Sequence, residues 1–142
     1  MSGRLVILGA CAAATTLAAC GSSLAHGTAT SAPASTYTIS GTFDLIDFTS
    51  ASAGCVGQGG YADIAPGTQV KVTDQDGTLI GTGTLGAVTA SGDGTTCAFP
   101  FTVTGLPHEA FYGVAVSHRG VQDYSFAQLE GNGWQVSLML DG

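Results

Sequence analysis

Basic side chains are scarce in this chain of 142 residues. Three Lys and Arg residues stand against ten Asp and Glu, and charged residues make up only 9% of the total. Proteins bind nucleic acid largely by neutralising its phosphates with Lys and Arg. The composition therefore predicts a protein that does not bind nucleic acid and that anionic lipid headgroups repel.

Hydrophobic runs long enough to cross a membrane are absent as well. The N-terminal apolar stretch covers 15 residues, Leu5 to Ala19, behind the single positive charge of Arg4. As a helix it would rise about 22 Å, which is short of the roughly 30 Å hydrocarbon core of a bilayer. The stretch is typical of a signal peptide over residues 1–19.

The apolar stretch ends in the tetrad Leu17-Ala18-Ala19-Cys20. This tetrad resembles the lipobox of bacterial lipoproteins. The resemblance implies that signal peptidase II cuts before Cys20 and that the Cys20 thiol carries a diacylglycerol. The acyl chains, palmitate among them, would anchor the exported lipoprotein to the cell membrane. The implied partners are the membrane and the lipoprotein-processing enzymes. The alternative is an ordinary secreted protein, cut by a type I peptidase after Ala25.

Cysteines are few once the leader is removed. Cys11 lies in the leader, and beyond Cys20 the mature chain keeps Cys55 and Cys97. A lone pair in an exported chain predicts a disulfide between them, with two buried free thiols as the alternative. No paired Cys-x-x-Cys or His spacing accompanies them, so a metal site at these two cysteines is disfavoured.

The mature chain of 123 residues divides into a tether and a domain. Residues 20–36 are the lipidated Cys followed by GSSLAHGTATSAPAST, which has no aromatic residue and no periodicity. This composition predicts a flexible tether with a reach of roughly 20–24 Å. Its Ser and Thr density leaves O-glycosylation open. Two basic side chains against ten carboxylates give the mature chain a net charge of −8.

Alternating apolar residues begin at Tyr37. Ile39, Gly41, Phe43 and Leu45 share one face of a predicted strand, and similar runs recur to the end of the chain. About seven short strands separated by Gly, Pro and Asp predict an all-β fold over 37–142, a seven-stranded antiparallel β-sandwich. Asn132-Gly133 predicts a hairpin turn into the last strand.

Two segments of this region, VKVTDQDGTLIGTG and FTVTGLP…YGVAV, are similar to the transthyretin-like and immunoglobulin-like sandwiches of exported proteins. The likeness implies the same fold class. The Cys–Trp–Cys order of true immunoglobulin domains is absent, because Trp134 follows both cysteines. The Gly, Ala, Ser and Thr content is also common in exported proteins of actinobacteria.

Three motifs imitate cofactor or metal sites. Gly81–Gly86 matches G-x-G-x-x-G, but no helix can follow it, so close-packed strand glycines are the better interpretation. Asp74–Gly77 begins like a calcium loop, yet Leu85 stands where the closing carboxylate belongs. A hairpin turn is the favoured interpretation, and a looser calcium site using Asp74, Asp76 or Asp63 stays open. His108-Glu109 begins a zinc-protease motif whose second histidine is replaced by Tyr112, which favours a loop.

Two further segments bear on catalysis and recognition. Ser117, His118 and Asp123 supply triad residue types, but neighbouring Ser and His on a strand would point to opposite faces. Gly54–Tyr61 places four glycines around Cys55, either as a recognition loop or because packing demands glycine there. The packing interpretation is favoured.

The sequence therefore predicts a lipid-anchored exported protein that is not an enzyme and has no cofactor, with no catalytic, cofactor-binding or metal residues. Its domain would bind an envelope protein or ligand, or organise the envelope. Alternatives are a modulator of an envelope process, such as transport or phage exclusion, and a small hydrolase of unfamiliar type.

Overall fold

Short alternating strands account for most of the regular structure in a computed structural model, which describes residues 33–90 and 94–141. The predicted signal peptide, Cys20 and the tether up to residue 32 lie outside the described residues. Residues 33–36 are exposed and have no regular secondary structure. The elements are β1 (Tyr37–Ile46), α1 (Phe48–Ser52), β2 (Gln69–Thr73), β3 (Leu79–Thr84), β4 (Thr89–Ala90), β5 (Thr96–Leu106), β6 (Phe111–Val116), β7 (Gln122–Ser125), α2 (Phe126–Gly131) and β8 (Gln135–Asp141).

The strands form two sheets. The first has the order β4-β5-β1-β8, and the second has the order β3-β2-β6-β7. Every pair of neighbouring strands is antiparallel except β1 and β8, which are parallel. The predicted all-β sandwich is confirmed, with the two-residue β4 as an additional strand; the parallel β1–β8 pair corrects the prediction that all strands are antiparallel.

The parallel pair follows from how the chain reaches β8. A parallel neighbour cannot be reached through a tight hairpin and needs a crossover connection. Here α2 follows β7 of the second sheet and forms part of the crossover to β8 in the first sheet, which allows β8 to run parallel to β1.

The helix α2 also corrects the predicted Asn132-Gly133 hairpin. Ser125 caps the helix with its hydroxyl on the backbone N–H of Gln128, whose side chain in turn accepts from the N–H of Ser125. The N–H of Asn132 and that of Gly133 bond to helix carbonyls, so this dipeptide ends α2. Positive φ at Gly133 suits a helix C-terminus as well as a hairpin, which is why the dipeptide alone misleads.

The core lies between the two sheets. Ile39, Phe43 and Leu45 point inward from β1, as the alternation predicts. The other strand residues of the core are Val70, Val72, Cys97, Phe99, Phe101, Val103, Leu106, Tyr112, Val114, Val116, Val136 and Leu138.

The G-x-G-x-x-G motif belongs to this packing. Gly81 and Gly83 lie in β3, where the sheets approach each other closely. A Cβ on Gly83 would lie 2.5 Å from the carbonyl oxygen of Thr102 in β5. A bridge between Leu85 and Phe101 joins the sheets just beyond. The interpretation of these residues as close-packed strand glycines is confirmed.

Candidate functional site

The turn after β6 brings Ser117 and His118 together. Ser117 has a φ of 56°, outside the strand conformation, and β6 has ended at Val116. Its Oγ lies 3.0 Å from Nδ1 of His118. The expectation that the two side chains point to opposite faces is therefore wrong, because it assumed that the strand continues.

The carboxylate beside these residues is Asp63, and Asp123 lies in β7. Oδ2 of Asp63 lies 3.8 Å from Nδ1 of His118, the same nitrogen that contacts Ser117. A catalytic histidine contacts its carboxylate through one ring nitrogen and the nucleophile through the other. The His118 side chain is also 77% exposed. The three side chains therefore do not have the arrangement of a catalytic triad.

Arg119 is the centre of a polar cluster at this end of the sandwich. Its guanidinium donates to both carboxylate oxygens of Asp63 and to the carbonyl of Gly60, the latter at 2.7 Å. It also lies over the Tyr61 ring, 5.5 Å from the centroid. Partial burial raises the pKa of the Asp63 carboxyl, but hydrogen bonds from Arg119 and Ser117 outweigh this, and the pKa lies below its usual value. The cluster ties the loop before β2 to the turn after β6.

The glycine-rich loop is held by packing. A disulfide joins Cys55 in this loop to Cys97 in β5, which confirms the predicted pair. Gly57 is buried, and a Cβ there would overlap the carbonyl of Tyr61. The loop therefore requires glycine at position 57 for packing, as the favoured interpretation predicts.

The carboxylates suggested for calcium do not converge. Oδ1 of Asp74 accepts the backbone N–H groups of Asp76 and Thr78, at 2.9 and 2.8 Å, and so shapes the hairpin between β2 and β3. Asp63 is bound to Arg119. Within residues 33–90 and 94–141, no group of three or more His, Cys, Asp or Glu side chains is placed to hold a metal ion.

Aromatic side chains cluster at the opposite end, where the chain enters β1. Tyr37 stacks on Trp134 with ring centroids 4.6 Å apart, and Phe126 packs edge-on against both. His108, the first residue of the zinc-like motif, stacks on Phe126 at 4.4 Å. Its predicted loop is confirmed, since β5 ends at Leu106 and β6 begins at Phe111.

The second half of that motif is structural. Tyr112 is fully buried, and its hydroxyl donates to the carbonyl of Pro107 and accepts the N–H of Glu109. Burial raises the pKa of this hydroxyl. Tyr112 therefore has a structural role at the position of the missing second histidine, where it anchors the loop between β5 and β6.

The outer face of the second sheet carries exposed apolar residues that the sequence analysis missed. Leu79, Phe111 and Val121 are 54%, 50% and 57% exposed. Beside them lies a depression of about 340 Å³ lined by Asp74, Gln75, Phe111 and Asp123. We call these six residues the acidic outer face. The sequence signal for this face was Phe111. It precedes the inward-pointing series Tyr112, Val114 and Val116 by one residue and therefore takes an outward position.

Comparisons with known proteins identify no relative, so a functional assignment depends on the geometry described above. No protein-family model matches the chain, and no curated protein or solved structure shows significant similarity to it. In the part of the chain that the structure describes, neither helix has the length and apolar character to cross a bilayer.

Proposed function

We propose that this protein is an exported lipoprotein, anchored by acylated Cys20 on the extracytoplasmic side of the cell membrane. We further propose that its sandwich is a binding or envelope-organising module and that it catalyses no reaction. The proposal for the anchor rests on the lipobox-like tetrad at the end of a leader too short to span a bilayer. The Cys55–Cys97 disulfide supports an oxidising location.

The observation that carries the binding function is the acidic outer face. Large apolar side chains that stay half exposed on one sheet face are typical of interaction surfaces. The arrangement of Ser117, His118 and Asp63 does not favour hydrolysis, because one imidazole nitrogen contacts both partners. A surface that binds is the function that the described side chains support best.

Detergent partitioning of two cysteine variants tests the anchor. Cys20→Ala should move the protein from the detergent phase to the aqueous phase, because two acyl chains are lost. Cys11→Ala is the matched control, since that residue is discarded with the leader and the variant should partition like the parent. If Cys20→Ala remains in the detergent phase after its leader has been removed, the anchor is wrong. A mature N-terminus at His26 would instead favour the secreted alternative.

An activity assay tests the absence of catalysis. The purified protein should show no ester or peptide hydrolysis and retain no stoichiometric metal after dialysis. Hydrolysis that is abolished by His118→Ala would contradict the proposal. Zinc retained in stoichiometric amount would contradict it too.

A further inference from the structure

We propose that the acidic outer face binds a basic, amphipathic segment of a partner protein. A Lys or Arg side chain of that segment would occupy the depression, and its apolar side chains would lie on Phe111, Val121 and Leu79. This inference rests on the proposed binding function and adds to it a surface and a class of partner.

Strand register places the exposed apolar residues on one side of the second sheet. Leu79, Thr73, Gly113 and Asp123 stand directly opposite one another across the four strands of the second sheet. Phe111 lies two residues before Gly113 on β6, on the same side of the sheet. These side chains therefore share one surface that the core does not cover.

Gly113 leaves the space that the Val121 and Asp123 side chains occupy on this surface. A Cβ at this position would lie 2.7 Å from Thr73 Oγ1, 2.7 Å from Val121 Cγ1 and 3.0 Å from Asp123 Oδ1. The three side chains converge over the space that glycine leaves. An apolar group and a carboxylate thus meet at the side of the depression.

The charges around the depression have one sign. Asp74 and Asp123 line it, and Glu109 accepts a hydrogen bond from Gln75 at 2.9 Å. Within residues 33–90 and 94–141, Asp123 has no hydrogen bond or ion pair that would compensate its charge. Lys71 is the cation on this face, one row further along β2 opposite Ala115. The carboxylates of Asp74, Asp123 and Glu109 outnumber this lysine and therefore favour a cationic partner.

The combination of an aromatic ring with carboxylates fits a Lys or Arg side chain. The alkyl stem of such a side chain packs on apolar surface while its charged head reaches a carboxylate. The face of Phe111 also attracts a cation directly. Nucleic acid and anionic lipid are disfavoured by the same charges, so a basic protein segment is the occupant that matches both parts of the surface.

Binding of a defined peptide to the purified, full-length mature protein tests this inference. The probe is a fluorescent peptide of alternating Lys and Leu, compared with a peptide in which Glu replaces each Lys. The Lys peptide should bind, and its affinity should fall as salt is raised. Phe111→Ser and Asp123→Asn should each weaken binding about tenfold.

Two matched variants control for general effects. Met139→Ser removes an exposed apolar side chain from β8, and Glu130→Gln removes an exposed carboxylate from α2, both outside the acidic outer face. These variants should bind the Lys peptide like the parent. Equal weakening by test and control variants, or equal binding of the Glu peptide, would overturn the inference. Thermal melting identifies any variant that fails to fold. If Phe111→Ser does not fold, Asp123→Asn still decides the test.

Crosslinking in intact cells separates this inference from the proposed function. If the parent and Phe111→Ser capture the same partner equally well, a binding function stands and the acidic outer face is not its site. If the parent binds neither the Lys peptide nor a cellular partner, both proposals fail. Adsorption to phosphatidylcholine vesicles through Phe111 would assign the face to a membrane and overturn the inference as well.

Discussion

Replacing both Cys55 and Cys97 with alanine should lower the free energy of unfolding by about 4 kcal/mol. The two positions are separated by 42 residues, so the disulfide closes a long loop in the unfolded chain. The chain-entropy model gives about 4 kcal/mol at 25 °C for a loop of that length. For a domain of this size, the loss corresponds to a fall in melting temperature of roughly 15 °C.

Urea denaturation followed by fluorescence measures this difference directly. Trp134 is the chain's single tryptophan and is half-buried among Tyr37, Tyr112 and Phe126, so its emission should report unfolding. The parent under reducing conditions is the control, since it loses the covalent link but keeps both sulfur atoms. A difference under about 1 kcal/mol between the parent and the double variant would refute the loop-entropy reasoning.

Two further predictions concern the polar end of the sandwich. Gly57→Ala should destabilise the protein by about 1–3 kcal/mol, because the added Cβ is overpacked against the Tyr61 carbonyl. Gly60→Ala is the control and should leave the free energy of unfolding unchanged, because nothing lies near its added Cβ. Chemical denaturation of the two variants measures the difference. Because the folded-state pKa of Asp63 is lowered, its contribution to stability is complete above the unfolded-state value of about 3.9 and is lost as the pH falls through the folded value. Arg119→Met should therefore weaken the acid dependence of the melting temperature, and an unchanged profile would contradict this assignment.

Local pattern was sufficient for much of the fold. Alternation along Ile39, Phe43 and Leu45 predicted an inward face because a strand places every second side chain on the same side. The disulfide followed from counting the cysteines that remain once the predicted leader and Cys20 are set aside. The parallel β1–β8 pair did not follow, because the order of strands depends on tertiary packing that short-range pattern does not record.

The site depended more strongly on contacts between distant segments. Asp63 meets Arg119 across 56 residues of sequence, which no local motif indicates. The triad types misled because Ser117 lies in a turn with positive φ, a conformation that a strand pattern does not predict. Phe111 was missed because an outward apolar residue in a strand looks like part of the core run until the faces are assigned.

The place of β1 in its sheet has a consequence for how the chain can fold if it is exported as proposed. β1 lies between β5 and β8, so the earliest of the described strands has no neighbour until β5 has emerged and lacks its second neighbour until β8 follows. Such non-local pairing makes folding slow, and it keeps an incomplete chain from closing its sheet. A chain crossing a membrane in an extended form should therefore remain unfolded until β8 has crossed. A chain truncated before β8 would leave an edge of β1 open to pairing with other molecules.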